Sequence, residues 1–462
     1  MSRLIVVSNR VADPSRPEQA GGLAVGVLDA LKESGGLWFG WDGAVAPPGA
    51  SLAPTRIEHG NIDIVTVPLT EQDYQEFYLG FSNSALWPVF HYRLDLARFS
   101  NDFLDGYRRV NARFARAIRP FIRNDDLIWV HDYHLIPFAS ELRGAGVANP
   151  IGFFLHIPFP PPEVLVATPE HEWLIASFLD YDLVGFQTAT DLGNFERFVR
   201  DQLAGGLSAG GRISARGRSV NVGVFPVGID VDSVAAMASS ADASQRIERL
   251  HRRALARVHI IGVDRLDYTK GLPERLRAFR RLLELYPENM KAATLMQIAA
   301  PTREDVDAYA DIRRELEQLS GAINGTFGDF DWTPVRYVNR TMPRDTLAAL
   351  FRGSHVGLVT PLRDGMNLVA KEYVAAQEEK DPGVLILSRF AGAAEDLEEA
   401  LIVNPYDADE VAQALQLAIK MPIQEKRERY RALLKRVRLR DAKHWRDSFL
   451  TALRTGRIET LV

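Results

Sequence analysis

The chain has 462 residues, more than a single hydrophobic core usually serves, so two domains are expected. With 46% hydrophobic and 25% charged residues the composition is that of an ordinary globular protein, which excludes a disordered or fibrous chain. A net charge of −5 with both signs interspersed offers no field for nucleic acid or an anionic membrane, and the absence of cysteine removes disulfides, zinc–thiolate sites and cysteine nucleophiles.

The first apolar run, residues 4–7, is too short for a secretory segment. No stretch reaches the roughly 18 uninterrupted apolar residues of a membrane span, so the cytoplasm is the expected compartment. The run instead opens a series of short, continuously apolar stretches: 127–130, 151–155, 183–186 and 222–225 in the first half, then 259–263, 293–298, 356–359, 384–387 and 401–403 in the second. Runs without polar alternation are the pattern of strands buried on both faces, hence of parallel sheets. Two such series, interleaved with helical periodicity, predict an α/β protein with two doubly wound sheets, a single barrel being the weaker alternative. A turn at Pro226-Val227-Gly228-Ile229-Asp230 marks the hinge, followed by a polar helix over 235–254. The most cationic stretch, 426–446, reads as one helix with Leu433, Leu434, Val437 and Trp445 interleaved, a solvated face rather than a nucleic-acid patch. Ligands of such sheets bind beyond the carboxyl ends of the strands, so two facing sheets would enclose a cleft.

The candidates for chemistry sit where these strands end. The first runs into Ser8-Asn9-Arg10, and Gly21-Gly22 then opens a helical stretch, which suits a phosphate-binding turn or a plain glycine turn. Tyr78, Trp87 and Tyr92 cluster around 81–88, as core aromatics or as a wall for a sugar. The strands ending at Val130 and Leu155 lead into His131-Asp132-Tyr133-His134 and His156-Ile157-Pro158. Structural and ligand-facing roles are both open for these histidines, while metal binding lacks a helical His-x-x-x-His or a carboxylate cluster. Asp230-x-Asp232 and Asp305-x-Asp307 stand at helix starts, where acids complement the dipole, and are discounted as metal motifs. Arg265 and Lys270 lie between a strand end and a helix start, placed to neutralise a diphosphate, although Arg265 also suits a surface pair with Asp267. Arg303 follows the next strand and, with Arg10, suits a phosphomonoester, or else a salt bridge to Glu304 or Asp307. In Arg363-Asp364-Gly365-Met366-Asn367-Leu368, Asp364 is placed to accept from sugar hydroxyls or to cap a helix. Glu372 then suits a ribose diol or a solvated helix face.

In order along the chain, Gly21-Gly22-Leu23, Leu37-Trp38-Phe39-Gly40-Trp41, Phe90-His91-Tyr92-Arg93, His131-Asp132-Tyr133-His134, His156-Ile157-Pro158-Phe159-Pro160, Arg265-Leu266-Asp267-Tyr268, Lys270-Gly271 and Asp364-Gly365-Met366-Asn367-Leu368 resemble the motifs of the trehalose-6-phosphate synthase family. The resemblance covers nearly the whole sequence. It implies the α/β GT-B architecture, two Rossmann-like domains facing each other across a deep cleft: 1–228 on the acceptor side, 229–440 for the nucleotide sugar, and a C-terminal helix in 441–462 returning to the N-terminal domain. It also implies retaining transfer of glucose from a nucleotide-glucose, UDP-glucose by family habit, to glucose 6-phosphate.

Position by position, the family assigns Arg10, Tyr78, Trp87 and Arg303 to the acceptor phosphate and Asp132 to the acceptor hydroxyls. Gly22, Arg265 and Lys270 would bind the donor diphosphate and Glu372 the ribose. Asp364, His156 and the amides of Gly365, Met366, Asn367 and Leu368 would hold the transferred glucose. Arg265, Lys270, Asp364, His156 and Asp132 would then stand nearest the chemistry, with Trp41 shaping the cleft wall. The implied scheme requires no metal and no other cofactor, and the sequence offers no obvious nucleophile-plus-acid carboxylate pair of a glycosidase. The implied partners are the two small-molecule substrates, without nucleic acid or membrane, and a homo-oligomer is compatible. A glucosylglycerol-phosphate synthase, or an enzyme coupling a cyclitol nucleotide, would differ at the acceptor wall. A non-catalytic sugar-phosphate sensor should lack Asp364, Arg265 or Lys270, and all three are present. With no phosphatase-like segment after the last helix, dephosphorylation is expected to fall to another protein.

Overall fold

The computed structural model describes residues 2–11, 28, 31, 35–208, 211–254, 257–302 and 307–458. The chain divides into two compact units, one of Met1–Pro226 with Lys443–Val462, the other of Val227–Ala442.

Unit 1 carries β1 (Leu4–Arg10), β2 (Gly36–Ala46), β3 (Thr55–His59), β4 (Ile62–Thr70), β5 (Leu127–His131), β6 (Ile151–Phe154), β7 (Leu183–Phe186), β8 (Gly206–Leu207), β9 (Arg212–Ala215) and β10 (Arg218–Val224). They form one sheet in the order β3-β4-β2-β1-β5-β6-β7-β10-β9-β8. From β4 to β10 all neighbours are parallel, and β3, β9 and β8 add antiparallel edges. The aliphatic run Leu4-Ile5-Val6-Val7 is fully buried because β1 lies between β2 and β5 with both faces covered. Strands β2 and β4 add to the stretches expected from sequence. Their apolar residues alternate with Gly, Asp and Thr, which hides them from a search for continuous runs.

Local capping and long-range hydrogen bonds then fix the loops beyond the strands. The helix Asn101–Ile118 starts on Ser100, whose hydroxyl accepts from the Asp102 amide. It buries Leu104, Tyr107, Phe114 and Ile118 at helical spacing. From this helix the Tyr107 hydroxyl donates to the Tyr133 carbonyl at 2.6 Å and accepts from the Ile136 amide, pinning the loop after β5. Asp191 accepts from the Phe159 amide at 2.8 Å and Asn194 donates to the Phe159 carbonyl, pinning the loop after β6.

The helix Ala442–Thr455 completes this unit by burying Trp445, Phe449 and Leu453. A Cβ at Gly152 or Gly185 would lie 2.8 Å from the Phe449 ring, so these two strand glycines are the space in which that ring sits.

Unit 2 carries β11 (Val258–Arg265), β12 (Ala293–Ala300), β13 (Val335–Val338), β14 (Val356–Val359), β15 (Val384–Ser388) and β16 (Leu401–Val403) in the order β13-β12-β11-β14-β15-β16, all parallel. Counted within the unit this is 3-2-1-4-5-6, the doubly wound order whose direction reverses between the first and fourth strands. The parallel strands of unit 1 follow the same order with a seventh, β10, added after the sixth, and their reversal lies between β1 and β5. Each unit therefore has a switch point, and the residues just beyond β1, β5, β11 and β14 are the ones a ligand meets first.

Two helices differ from expectation. The polar segment after Asp230 is two helices, Val231–Ala238 and Ala241–Ala254. The cationic stretch 426–446 is not one helix, because Ile423–Leu439 ends at Arg440 and Ala442–Thr455 begins anew. Arg440 leaves the helical region at φ −119°, ψ 54° and donates to the buried Asp396 carboxylate at 2.8 Å. Leu433 and Val437 thereby join the core of unit 2, while Trp445 joins that of unit 1.

Candidate active site

At the switch point of unit 2, Lys270 follows β11 and Asp364 follows β14. The Lys270 ammonium donates to Asp364 Oδ2 at 2.5 Å, and Asn367 Nδ2 donates to the same oxygen at 3.1 Å. Both loops are held by backbone. The amide of Leu362 donates to the Thr269 carbonyl, Asp364 donates to the Phe390 carbonyl, and Ala393 donates to that of Met366. Asp364 is therefore no helix cap. The helix Leu368–Ala376 begins at Asn367, which sits at φ 69° and makes no side-chain cap. A helix start leaves its first amides without intrahelical carbonyls, the setting that favours negative or hydroxyl-bearing ligands.

Arg265 ends β11, its side chain 44% exposed and 3.7 Å from Asp267. Asp267 is itself buried, and its carboxylate accepts from the amide and hydroxyl of Thr269. The pair is thus a loop brace, not a surface pair. Glu372 is partly buried on its helix and lines a small hollow with Arg344, Leu347 and Phe351. Burial raises its pKa, and the Arg344 charge opposes that rise.

Beneath these loops lies Arg275, 1% exposed, which donates to Asp264 Oδ2 at 2.8 Å, Gln297 Oε1 at 3.0 Å and Thr360 Oγ1 at 3.1 Å. It ties the ends of β11, β12 and β14 together. Burial raises the pKa of Asp264, with the Arg275 and Lys270 charges acting the other way. Sequence reasoning did not single out Arg275 or Gln297, because an arginine inside a helical pattern reads as a solvated face.

In unit 1, Arg10 ends β1 with its guanidinium 5.8 Å from the Trp41 ring. Trp41 packs on Tyr78 at 5.2 Å, Tyr78 stacks on His134 at 6.1 Å, His134 on Tyr133 at 4.0 Å, and Tyr133 on Trp87 at 5.7 Å. These rings join Arg10, Tyr78 and Trp87 into one wall. Tyr78 stands on a wide π-helix, Tyr74–Leu86, a rare form that is frequent at functional sites. Side chains stabilise the widened turn: Asn83 donates to the Tyr78 carbonyl, Ser84 to the Leu79 carbonyl, and Tyr133 to Asn83.

Beyond β5, Asp132 is held at φ 77°, a conformation strained for a residue with a side chain, and its carboxylate accepts from the His156 amide at 3.2 Å. The two strand-end histidines meet, His131 Nδ1 lying 3.0 Å from His156 Nε2. Burial pushes His156 down to about 3 and His131 well below the usual histidine range, so both rings are neutral at pH 7.

Gly22 and Arg303 lie outside the described residues, as does Asp305. Asp230 caps the helix Val231–Ala238 through the Ser233 amide, and Asp232 pairs with Arg438. Among the described residues no group of three or more His, Asp or Glu side chains is gathered as a metal site, and no helix is long and apolar enough to cross a membrane.

Two doubly wound units, each with a cation and a carboxylate at its switch point, define an α/β protein of two Rossmann-like sheets. The profile of Glycosyltransferase family 20 matches residues 7–455, and the chain belongs to this family. The trehalose-6-phosphate synthase of Enterobacter sp. (strain 638) is 50% identical over 455 residues, 98% of this chain and 95% of the relative. The alpha,alpha-trehalose-phosphate synthase (UDP-forming) of Burkholderia xenovorans, solved in complex with glucose-6-phosphate, superposes with a TM-score of 0.94 at 50% identity, covering 98% of this chain and 100% of that one. An E. coli structure, trehalose-6-phosphate bound with UDP-2-fluoro glucose, gives 0.94 at 48% identity over 98% and 99% of the two chains.

Proposed function

We propose that this chain is a retaining glucosyltransferase that moves glucose from UDP-glucose to glucose 6-phosphate, giving trehalose 6-phosphate and UDP. The observation that carries the reading is the Lys270–Asp364 pair at the switch point of unit 2, because it sets a cation for a leaving phosphate beside a carboxylate for sugar hydroxyls. An ammonium has three N–H groups, and Asp364 takes one of those on Lys270, which leaves two for phosphate oxygens. Arg265 and Lys270 meet charge that grows as the glycosidic bond loosens, the kind of contact worth about 3–4 kcal/mol per well-placed donor. Asp364, with the amides of Gly365 to Leu368 and His156, holds the transferred glucose, and Glu372 takes the ribose. Gly22 adds its backbone N–H to the diphosphate.

Arg10, Tyr78, Trp87 and Arg303 grip the acceptor phosphate, and Asp132 accepts from its sugar. The departing phosphate oxygen takes the proton of the attacking hydroxyl on the same face, so the bond to phosphate breaks as the new acetal bond forms. Relatives at about half identity, solved with glucose-6-phosphate and with UDP-2-fluoro glucose, support both substrates. A nucleotide sugar and a hexose phosphate are metabolites of the cytoplasm, which supports a cytoplasmic setting for the reaction.

The test is direct. The purified chain is incubated with UDP-, GDP- and ADP-glucose against glucose 6-phosphate and glycerol phosphate, and products are identified by NMR. An α,α-1,1-linked disaccharide phosphate made fastest from UDP-glucose is expected. Glucosylglycerol phosphate as the main product, or no product, overturns the reading.

A further inference from the structure

In unit 1 the ring of His156 is coupled to that of His131. Their nitrogens are 3.0 Å apart, and the rings lie at 29° to each other with centroids 5.3 Å apart. Between two neutral imidazoles only one proton occupies that line, so the tautomers are linked. If His131 carries Nδ1–H, then His156 accepts on Nε2 and carries its own proton on Nδ1. If His156 donates from Nε2 instead, His131 carries Nε2–H and His156 Nδ1 is bare. The choice decides whether His156 offers a ligand a donor or an acceptor, since its Nδ1 has no protein partner among the described residues while part of the residue is open to solvent.

The far side of His131 selects between them. That ring is fully buried, and its Nε2 has no partner among the described residues. Trp129 packs on it at 4.4 Å and Trp445 at 6.3 Å, with the two indoles 4.9 Å apart. The indole nitrogens of Trp129 and Trp445 are also buried without a partner. An indole nitrogen can only donate. Protonating His131 on Nε2 would add a third buried N–H without an acceptor to those of the two indoles packed around it. A bare Nε2 leaves fewer orphan N–H groups and puts an acceptor on a ring whose neighbours can only donate.

We propose that His131 is a positioning residue that donates from Nδ1 to His156 Nε2 and so holds His156 as the Nδ1–H tautomer, presenting a hydrogen-bond donor to an oxygen of the transferred sugar. Trp129 and Trp445 set the tautomer of His131, which makes the helix Ala442–Thr455 part of the arrangement. The sugar contact rests on the function proposed above. The tautomer does not.

The test labels the histidines of the full chain with 15N and reads, without ligand, which ring nitrogen of His156 is protonated. Wild type is expected to show Nδ1–H. His131→Phe, which keeps a ring but no hydrogen bond, is expected to release the tautomer into a mixture, and His131→Asn, whose amide can stand in for Nδ1–H, to restore it. Trp445→Phe keeps the packing, removes one indole donor and is expected to weaken the bias, so it serves if His131 variants fail to fold. In steady-state assays His131→Phe should lower kcat/KM for UDP-glucose about tenfold, the loss of one hydrogen bond, with His131→Asn recovering most of it and KM for glucose 6-phosphate little changed. Nε2–H on wild-type His156 overturns the proposal. A confirmed Nδ1–H with unaltered donor kinetics in His131→Phe overturns the sugar contact and leaves the tautomer standing.

Discussion

Arg275→Met removes the cation hydrogen-bonded to a carboxylate that is itself 7% exposed, and leaves Asp264, Gln297 and Thr360 facing a thioether. The charge-assisted bond to Asp264 is worth about 1.5–3 kcal/mol and each of the other two about 0.5–1.5 kcal/mol, a total in line with the roughly 3–5 kcal/mol lost when one partner of a buried pair is removed. A chain of two units need not unfold in one step, so the local free energy is best read by hydrogen exchange in β11 and β14 of the full-length protein. Their slowest amides should lose about 3–5 kcal/mol of protection, with those of β1 and β5 unchanged. Removing Arg275 also leaves the burial of Asp264 less opposed, so its folded pKa rises further. A carboxyl with a raised folded pKa binds more protons folded than unfolded, and stability falls as pH rises through that interval. The deficit of the variant should therefore narrow as pH drops toward the ordinary carboxylate range. Asp264→Leu combined with Arg275→Met removes both charges and should be more stable than Arg275→Met alone. Protection losses below about 1 kcal/mol, or a double variant worse than the sum of the singles, would refute the view that this pair braces the donor loops.

Lys270→Met should lower kcat by about 100- to 1,000-fold at saturating substrates with a smaller change in donor KM, because the charge it meets grows in the transition state; unchanged turnover contradicts its role. Gly43 sits at φ +89°, and a Cβ there would lie 2.6 Å from the Arg10 guanidinium. Gly43→Ala should displace that group and raise KM for glucose 6-phosphate by about 10- to 100-fold, the worth of a charge-assisted hydrogen bond, while KM for UDP-glucose stays put; equal weakening of both substrates counts against it. His131 and His156 stay neutral when folded, so below pH 6.5 the unfolded chain takes up protons that the folded chain refuses, and stability falls with falling pH toward about 3. Each contributes up to about 1.4 kcal/mol per pH unit in that window, and His131→Phe should flatten the acid limb of a urea-midpoint profile. An unchanged limb would mean that the ring is charged in the native state.

Much of the fold was legible in the sequence because parallel strands buried on both faces announce themselves as unbroken apolar runs, as in Leu4-Ile5-Val6-Val7 and Val384-Leu385-Ile386-Leu387. Strand ends were legible for the same reason, and Arg10, Asp132, His156, Arg265, Lys270 and Asp364 all fall just beyond such runs or at their last residue. The wide turn under Tyr78 was hidden, since it depends on Asn83 and Ser84 reaching back five residues and on Tyr133 from another loop. Val335–Val338 was also passed over, being four residues with Arg336 and Tyr337 in the middle.

What the sequence determined alone is periodicity: which segments are strands, which are helices, and where chemistry-bearing residues meet a strand end. Strand order, the pairing of Lys270 with Asp364, the tie of Arg275 across three strands, and the division of one cationic stretch between two cores were decided by tertiary structure. The physical reason is range. A backbone pattern is set by neighbours a few residues away, whereas a buried charge or an orphan N–H is settled by whatever distant residue can reach it.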